Sequence, residues 1–349
     1  MAKKQMQDES GLRRLKQDLR TGEFSRLYFF YGEERYLQEY YMGALRKKLV
    51  SGPMEEFNYR RLTAETMSLP ALLDAVEAMP MMAEYTLVQV DDYDPYAQNE
   101  ETRQSLMEIF ADLPETCCLV FYYDTVSYSR NGKMKKLAEV ITQFGCEVEF
   151  TKQDNAALTE WITRHFREQQ KMIAPELCQH LIFLTGGSMT TLHSEIGKVA
   201  AYSRTDTVTK TEIDAVVEPV LSAVMFDITD ALAEGDYDKT LARLRDVLQS
   251  REEPIAILAV VGGHFRRLLT AKTAAAAGRG ADTLMSLLGS KSDYYCRKIM
   301  SQASRLSEEF CRMAVEACFE ADLQMKSTYD EGERILEMLL LRFAQEAGR

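Results

Sequence analysis

One stretch of this chain is placed where a phosphate could bind: Phe29-Phe30-Tyr31-Gly32-Glu33-Glu34-Arg35-Tyr36-Leu37-Gln38-Glu39. A short apolar run meets a glycine, and a helical pattern begins at once. Nucleotide-binding α/β proteins keep their phosphate loop at such a junction. The chemistry asks for G-x-x-x-x-G-K-[ST], so that backbone N–H groups converge on the phosphates, a lysine neutralises them and a hydroxyl holds Mg²⁺. Counted from Gly32, the last three positions are Leu37, Gln38 and Glu39. Leu37 does not readily take the positive φ of the second glycine. Gln38 carries no charge. Glu39 sets an anion beside a triphosphate; a like-charge pair at about 4 Å and an effective dielectric of about 20 costs about 4 kcal/mol, roughly a thousandfold in affinity. The place for a nucleotide is present without its chemistry, and the sequence implies no nucleotide cofactor.

Other reactive constellations are thin. Asp91-Asp92 close a strand pattern where such folds hold Mg²⁺ carboxylates, but two acids alone read as a solvated strand end. Ser188, in the run Gly187-Ser188-Met189-Thr190, opens a helix with no arginine to reach a γ-phosphate. His165, His180, His193 and His264 fall on helical patterns, and no pair has the i, i+4 spacing of metal ligands. The seven cysteines include no C-x-x-C pair; Cys117-Cys118 lie in an apolar run, and Cys311 and Cys318 are two helical turns apart. All seven read as reduced thiols of a cytosolic protein. No metal site and no catalytic residue is expected.

Hydrophobic periodicity sets the elements around these residues. Strands are expected at Leu27–Tyr31, Phe57–Leu62, Tyr85–Val90, Cys117–Tyr123 and Cys146–Phe150. Helices are expected at Tyr36–Val50, from Leu69 to Met79, at Leu106–Leu113 and at Gly132–Phe144. Five strands alternating with four helices imply a mostly parallel sheet covered on both faces. Beyond Phe150 the pattern is helical: near 156–170, 175–185 and 188–203, then after Thr209, where Thr209 and Glu212 fit a capping box. Pro219 marks a joint, and helices follow at Ile255–Ala277, Glu308–Ser327 and Gly332–Glu346. The expected domains are an α/β unit over 1–152, a small helical lid over 153–218 and a helical domain over 219–349.

The chain has 349 residues and a net charge of −12. Proteins that grip DNA alone usually present a basic surplus, so an autonomous DNA-binding protein is disfavoured. No apolar run approaches the ~20 residues of a membrane span, and the N-terminal ten residues lack the apolar core of a secretory signal.

In the order and spacing of its segments the chain resembles the delta subunits of bacterial DNA polymerase III clamp loaders, of the AAA+ class. The likeness runs nearly end to end. It is carried by "LYFFYGEERYLQEYY", "LLDAVEAMPMMAEYTLVQVDDYD", "LTGGSMTTLHSEIGKVAAYS", "MFDITDALAEGDYDKTLARLRDVL", "EEPIAILAVVGGHFRRLL" and "CFEADLQMKST". The resemblance implies an AAA+-like α/β domain, a helical lid and a C-terminal helical collar. It also implies a cytoplasmic, replisome-associated subunit that does not hydrolyse ATP. Such a subunit would bind the beta sliding clamp and open or hold open its ring, beside delta-prime and tau or gamma subunits. Primer-template DNA would be met only within that assembly, itself a DNA-directed DNA polymerase.

Pro80 stops the helical stripe that runs from Leu69 to Met79, and Met81-Met82 come next, at a turn. The resemblance places the clamp-binding element here, with Met-Met where a Leu-Phe-like pair is common; the alternative is that both methionines cover the sheet end. Arg266, Arg267 and Lys272 on the long C-terminal helix form a basic group in sequence. Its readings are a neighbouring subunit, DNA in the assembly's channel, or a solvated face. Glu195 with Lys198 and Asp322 with Lys326 have the spacing of helix-surface ion pairs. The rival readings are a scaffold of the same class for another DNA transaction such as helicase loading, and an ATPase with an unorthodox loop.

Overall fold

The computed structural model describes residues 2–248, 252–327 and 332–347. They form two compact units, Met1–Gln153 and Asp154–Arg349.

The first unit is built on a five-stranded sheet. Its elements run α1 (Ala2–Thr21), β1 (Leu27–Gly32), α2 (Arg35–Leu49), α3 (Glu55–Asn58), β2 (Tyr59–Leu62), α4 (Leu69–Val76), β3 (Thr86–Asp91), α5 (Glu100–Ala111), β4 (Cys117–Tyr122), α6 (Lys135–Phe144) and β5 (Gly145–Phe150). The strand order is β2-β3-β4-β1-β5, and every pair is parallel. Successive side chains of a strand face opposite sides, and β1 uses both. Leu27 and Phe29 join Val88, Val90, Leu119 and Phe121 in one core, under α4, α5 and α6. Tyr28 and Phe30 join Leu87, Val120, Val148 and Phe150 in another, under α1 and α2. Phe29 and Phe121 stack with ring centroids 5.0 Å apart. A sheet covered on both sides needs continuous apolar strands, which is why "LYFF" and "CCLVFY" lack alternation.

Three departures from sequence expectation have local causes. Helix α1 was not expected: its apolar stripe is only Leu12, Leu15 and Leu19 among charged residues. It packs on β5 through Leu15, with Leu12 and Leu19 partly buried. Gly11 makes that approach possible, since a Cβ there would lie 1.9 Å from the carbonyl oxygen of Glu147. Helix α4 stops at Val76, three residues short of Met79. Met79 is 79% exposed and precedes Pro80, so a further turn would bury nothing and end in a disfavoured conformation. Strand β2 begins at Tyr59 because Phe57 and Asn58 complete the single turn of α3.

The second unit is helical: α7 (Asn155–Glu168), α8 (Pro175–Thr185), α9 (Met189–Tyr202), α10 (Lys210–Val216), α11 (Leu221–Glu234), α12 (Tyr237–Leu248), α13 (Pro254–Ala276), α14 (Ala281–Leu288), α15 (Asp293–Arg305), α16 (Glu308–Ser327) and α17 (Gly332–Ala347). The Thr209–Glu212 capping box opens α10. Helix α13 is long and apolar enough to cross a membrane by length and composition. Here its Val261, Phe265 and Leu268 are fully buried against Phe310, Ala314 and Phe343 of α16 and α17. The apolar run is that of a central helix ringed by others.

The tightest backbone approach in the sheet is at Gly32, whose φ is +131° and where a Cβ would meet the Phe150 carbonyl oxygen at 2.3 Å. Gly32→Ala is expected to destabilise the protein by roughly 2 kcal/mol or more, seen as a lower urea midpoint. Gly43→Ala, on helix α2 with open space around it, should be neutral or gain up to about 1 kcal/mol.

Candidate functional site

All five strands point the same way, so the first unit has two unlike ends. Gly32, Asp91 and Tyr122 lie at the C-terminal ends of their strands, where a phosphate loop would sit. Only Glu33 and Glu34 separate β1 from α2. The chain's own groups fill this junction. The N–H of Glu34 donates to the carbonyl of Phe150 at 2.9 Å. Gln38 is fully buried and its amide donates to the carbonyl of Gly32 at 3.1 Å. Glu34 is itself buried at the start of α2; burial raises its pKa, against the backbone N–H of Tyr36 and the charge of Lys152. Leu37 packs on the core and Glu39 is exposed. The adjoining cleft, about 770 Å³, is lined by Glu33, Asp124, Glu147 and Glu149 against Arg14 and Arg130. Arg130 pairs with Glu147, Arg35 with Asp124 and Lys152 with Glu33, so these cations are engaged and the acids of the lining outnumber its bases, a poor setting for a triphosphate.

The two aspartates are not a solvated strand end. Asp91 is buried, ion-paired with Arg61 and bonded by the Gln89 amide at 2.6 Å. Asp92 takes φ +51° and accepts four hydrogen bonds from the loop after β4. These come from the N–H groups of Asp124, Thr125 and Val126 at 2.8, 3.0 and 3.1 Å and the Thr125 hydroxyl at 2.7 Å. Burial alone would raise its pKa; these donors outweigh burial and lower it. Both carboxylates are engaged within the protein, Asp91 by side chains of β2 and β3 and Asp92 by the loop after β4.

The remaining sequence candidates are dispersed. Ser188 caps α9 by accepting the N–H of Thr191. His165 lies on Trp161 and bonds its carbonyl. His180 bonds Asp214 at 2.6 Å, and burial drives the pKa of His264 down to about 3. The described residues contain no cluster of three metal-ligating side chains. All seven cysteines are free and buried, and burial pushes Cys146 and Cys318 up to about 12. Lys198 pairs with Glu195 at 2.7 Å and Lys326 with Asp322 at 2.8 Å; Glu195 is buried rather than on the surface. Arg266, Arg267 and Lys272 diverge around α13. Arg266 is exposed beside Cys318, Arg267 bonds Tyr295, and Lys272 lies toward Cys311.

The opposite end of the sheet is different. The loops entering β2 and β3 meet there, about 20 Å from the phosphate-loop end for six-residue strands. Met79, Met81 and Met82 are 79%, 49% and 90% exposed, with Pro80 half-buried between them. Phe57 is exposed on the neighbouring turn of α3. Met82 has φ +53°, one of three non-glycine residues with positive φ among those described. Beneath them Asn58 is almost fully buried. Its side-chain oxygen accepts the N–H of Met81 at 2.7 Å, and its NH₂ donates to the Met81 carbonyl at 2.8 Å. The methionines therefore do not cover the sheet end; they project from a backbone held in place. Phe57, Asn58 and Met79 were not singled out from sequence. The first two read as strand, the third as helix stripe, and only the break at Pro80 hinted at the loop.

Comparison with known proteins gives a consistent family. Residues 28–147 match the model "DNA polymerase III, delta subunit". Residues 222–343 match "DNA polymerase III delta subunit, C-terminal domain". A DNA polymerase III subunit delta from Bacillus subtilis is 25% identical over 334 residues, covering 93% of this chain and 94% of the relative. A probable DNA polymerase III subunit delta from Aquifex aeolicus is 19% identical over 323 residues, covering 90% of each. The solved structure of a Bacillus subtilis DNA clamp loader delta protein superimposes with a TM-score of 0.57 at 23% identity, over 95% of this chain and 99% of that one. The fold is thus a parallel α/β domain with a helical remainder, as in that structure.

The Asp92 clasp gives a pH test. Its folded pKa lies below the ordinary 3.8, so its contribution is complete above that value and is lost as pH falls through the folded pKa. Asp92→Asn should lose about 2 kcal/mol at neutral pH, the scale of hydrogen bonds to a charged group. Its stability should then fall less steeply than the parent's below pH ~4, read by urea titrations across pH 2 to 7.

Proposed function

This chain belongs to the DNA polymerase III delta-subunit family, and we propose that it binds the beta sliding clamp through the methionine tip and opens or holds open the ring. As a clamp loader delta subunit it is part of a replicative polymerase assembly. The observation that carries the finer reading is the tip itself: two long, flexible apolar side chains on a pinned turn, 49% and 90% exposed. Unbranched thioether side chains adapt to an irregular apolar pocket, and exposed apolar groups gathered at one place mark interaction surfaces. Met82 and then Met81 are the anchors, and Pro80 shapes the turn.

The subunit does not hydrolyse ATP in this reading. Support comes from the buried Gln38 bonded to Gly32, the negative cleft and the engaged Asp91 and Asp92. Its partners are the clamp, delta-prime and tau or gamma, with primer-template DNA met inside the assembly. The place of work is the cytoplasmic replisome. We further assign residues 153–218 as a lid and 219–349 as the collar that joins the other subunits. Arg266, exposed on α13, is the member of the basic group available to such a neighbour or to DNA.

Alanine at a buried interface anchor commonly costs about 2 kcal/mol or more, roughly thirtyfold in affinity. Met81→Ala/Met82→Ala should therefore weaken binding to the same organism's clamp by about that factor in surface plasmon resonance. An unchanged affinity with the urea midpoint preserved would reject the assignment. Titration of the isolated chain with a fluorescent ATP analogue should give no saturable binding in the micromolar range; saturation there would remove the non-ATPase reading.

A further inference from the structure

We infer that Asn58 is the positioning residue of the clamp-binding tip: it touches no partner, yet sets how Met81 and Met82 are presented. This role rests on the clamp-binding reading of the tip and deepens it.

The geometry is that of a post and a bracket. Both polar atoms of the Asn58 amide are spent on one residue's backbone, at 2.7 Å to the N–H and 2.8 Å to the carbonyl of Met81. The side chain is 2% exposed, so water does not compete for these bonds. No other side chain does this at the same length: aspartate has no donor for the carbonyl, leucine has neither group, and glutamine is one methylene longer. The post is itself fixed on both sides. Glu55, three residues earlier, pairs with Arg46 of α2. Tyr59, the next residue, lies under the Arg46 guanidinium at 4.3 Å and bonds Gln89 of β3 at 2.6 Å. Rigidity thus runs from α2 and β3 through Asn58 to the Met81 backbone.

The bracket matters because of the residue beyond it. Met82 sits at φ +53°, a conformation that non-glycine residues keep only where the surroundings impose it. With Met81 held, the chain turns at Met82 and both thioethers project. Without the two bonds, a loop from Glu77 to Tyr85 has a proline and little burial to select this conformer. A partner would then find the competent form in only a fraction of molecules, and the apparent dissociation constant would rise by the inverse of that fraction.

Positioning and contact leave different kinetic signatures. Loss of a contact speeds dissociation; loss of pre-organisation lowers the fraction able to associate. The experiment compares the full-length parent, Asn58→Ala and Asn58→Asp by surface plasmon resonance on the same organism's clamp. Amide hydrogen exchange at Met81 is read on the free proteins. Asn58→Ala is expected to weaken binding about tenfold or more, mainly through a slower association rate, with faster exchange at Met81 and the urea midpoint of the rest of the fold retained. Asn58→Asp should fall between it and the parent. Parent-like affinity in Asn58→Ala with faster Met81 exchange overturns the inference and leaves the tip reading standing. A tenfold loss carried by dissociation overturns it too, since Asn58 would then be a contact. If Asn58→Ala does not fold, Asn58→Asp decides by the same readouts. No binding by the parent overturns both this inference and the tip reading.

Discussion

A parallel sheet has two chemically unlike ends, and that constraint organises the first unit. Every strand of β2-β3-β4-β1-β5 runs the same way, so every loop after a strand gathers at one end and every loop before a strand at the other. In an α/β protein that binds nucleotide, the working end is the one after the strands, where helix N-termini and loop amides collect. Here that end is closed by the protein's own hydrogen bonds, and the exposed apolar groups have collected at the opposite one. In the proposed function the same scaffold serves protein contact rather than phosphate binding.

The closure is thorough in its chemistry. The polar groups at this end are already engaged: the Glu34 N–H, a donor a phosphate could use, by Phe150, the Gly32 carbonyl by Gln38, and Asp92, a carboxylate a metal ion could use, by three backbone amides and a hydroxyl. Such bonds are worth about 1 kcal/mol each when neutral and more when charged, so they hold the unit together without a ligand. The opposite end shows the reverse pattern. Asn58 satisfies the backbone and leaves the apolar side chains of Met81 and Met82 unsatisfied. Order in the main chain with exposure in the side chains is the combination an anchor needs, because little freedom is left to lose on binding.

Much of this was legible in the sequence, and the parts that were not had a physical reason. The strands were visible because a doubly covered sheet needs runs such as Leu27–Phe30 and Cys117–Phe121 to be apolar without interruption. The departure from the phosphate-loop pattern was legible because Leu37, Gln38 and Glu39 stand where that pattern has glycine, lysine and a hydroxyl. Helix α1 was missed because its stripe is only Leu12, Leu15 and Leu19 among charged residues, and its close backbone approach at Gly11 leaves no side-chain mark. Asn58 was hidden because a side chain that bonds a residue 23 positions away carries no local mark. Asp92 looked like a solvated acid because its four donors come from a loop more than thirty residues on. The Arg266, Arg267 and Lys272 group looked like a patch in one dimension and diverges in three, as residues at those offsets on one helix must.

In the proposed function this subunit grips its clamp with a preformed tip and no nucleotide. The most direct measurement is sedimentation-velocity titration of the purified full-length chain with the same organism's sliding clamp, run once without nucleotide and once with saturating ATP and Mg²⁺. A saturable complex with the same dissociation constant in both is the predicted result. A complex that forms only with ATP, or none at all at high micromolar concentration, would contradict it.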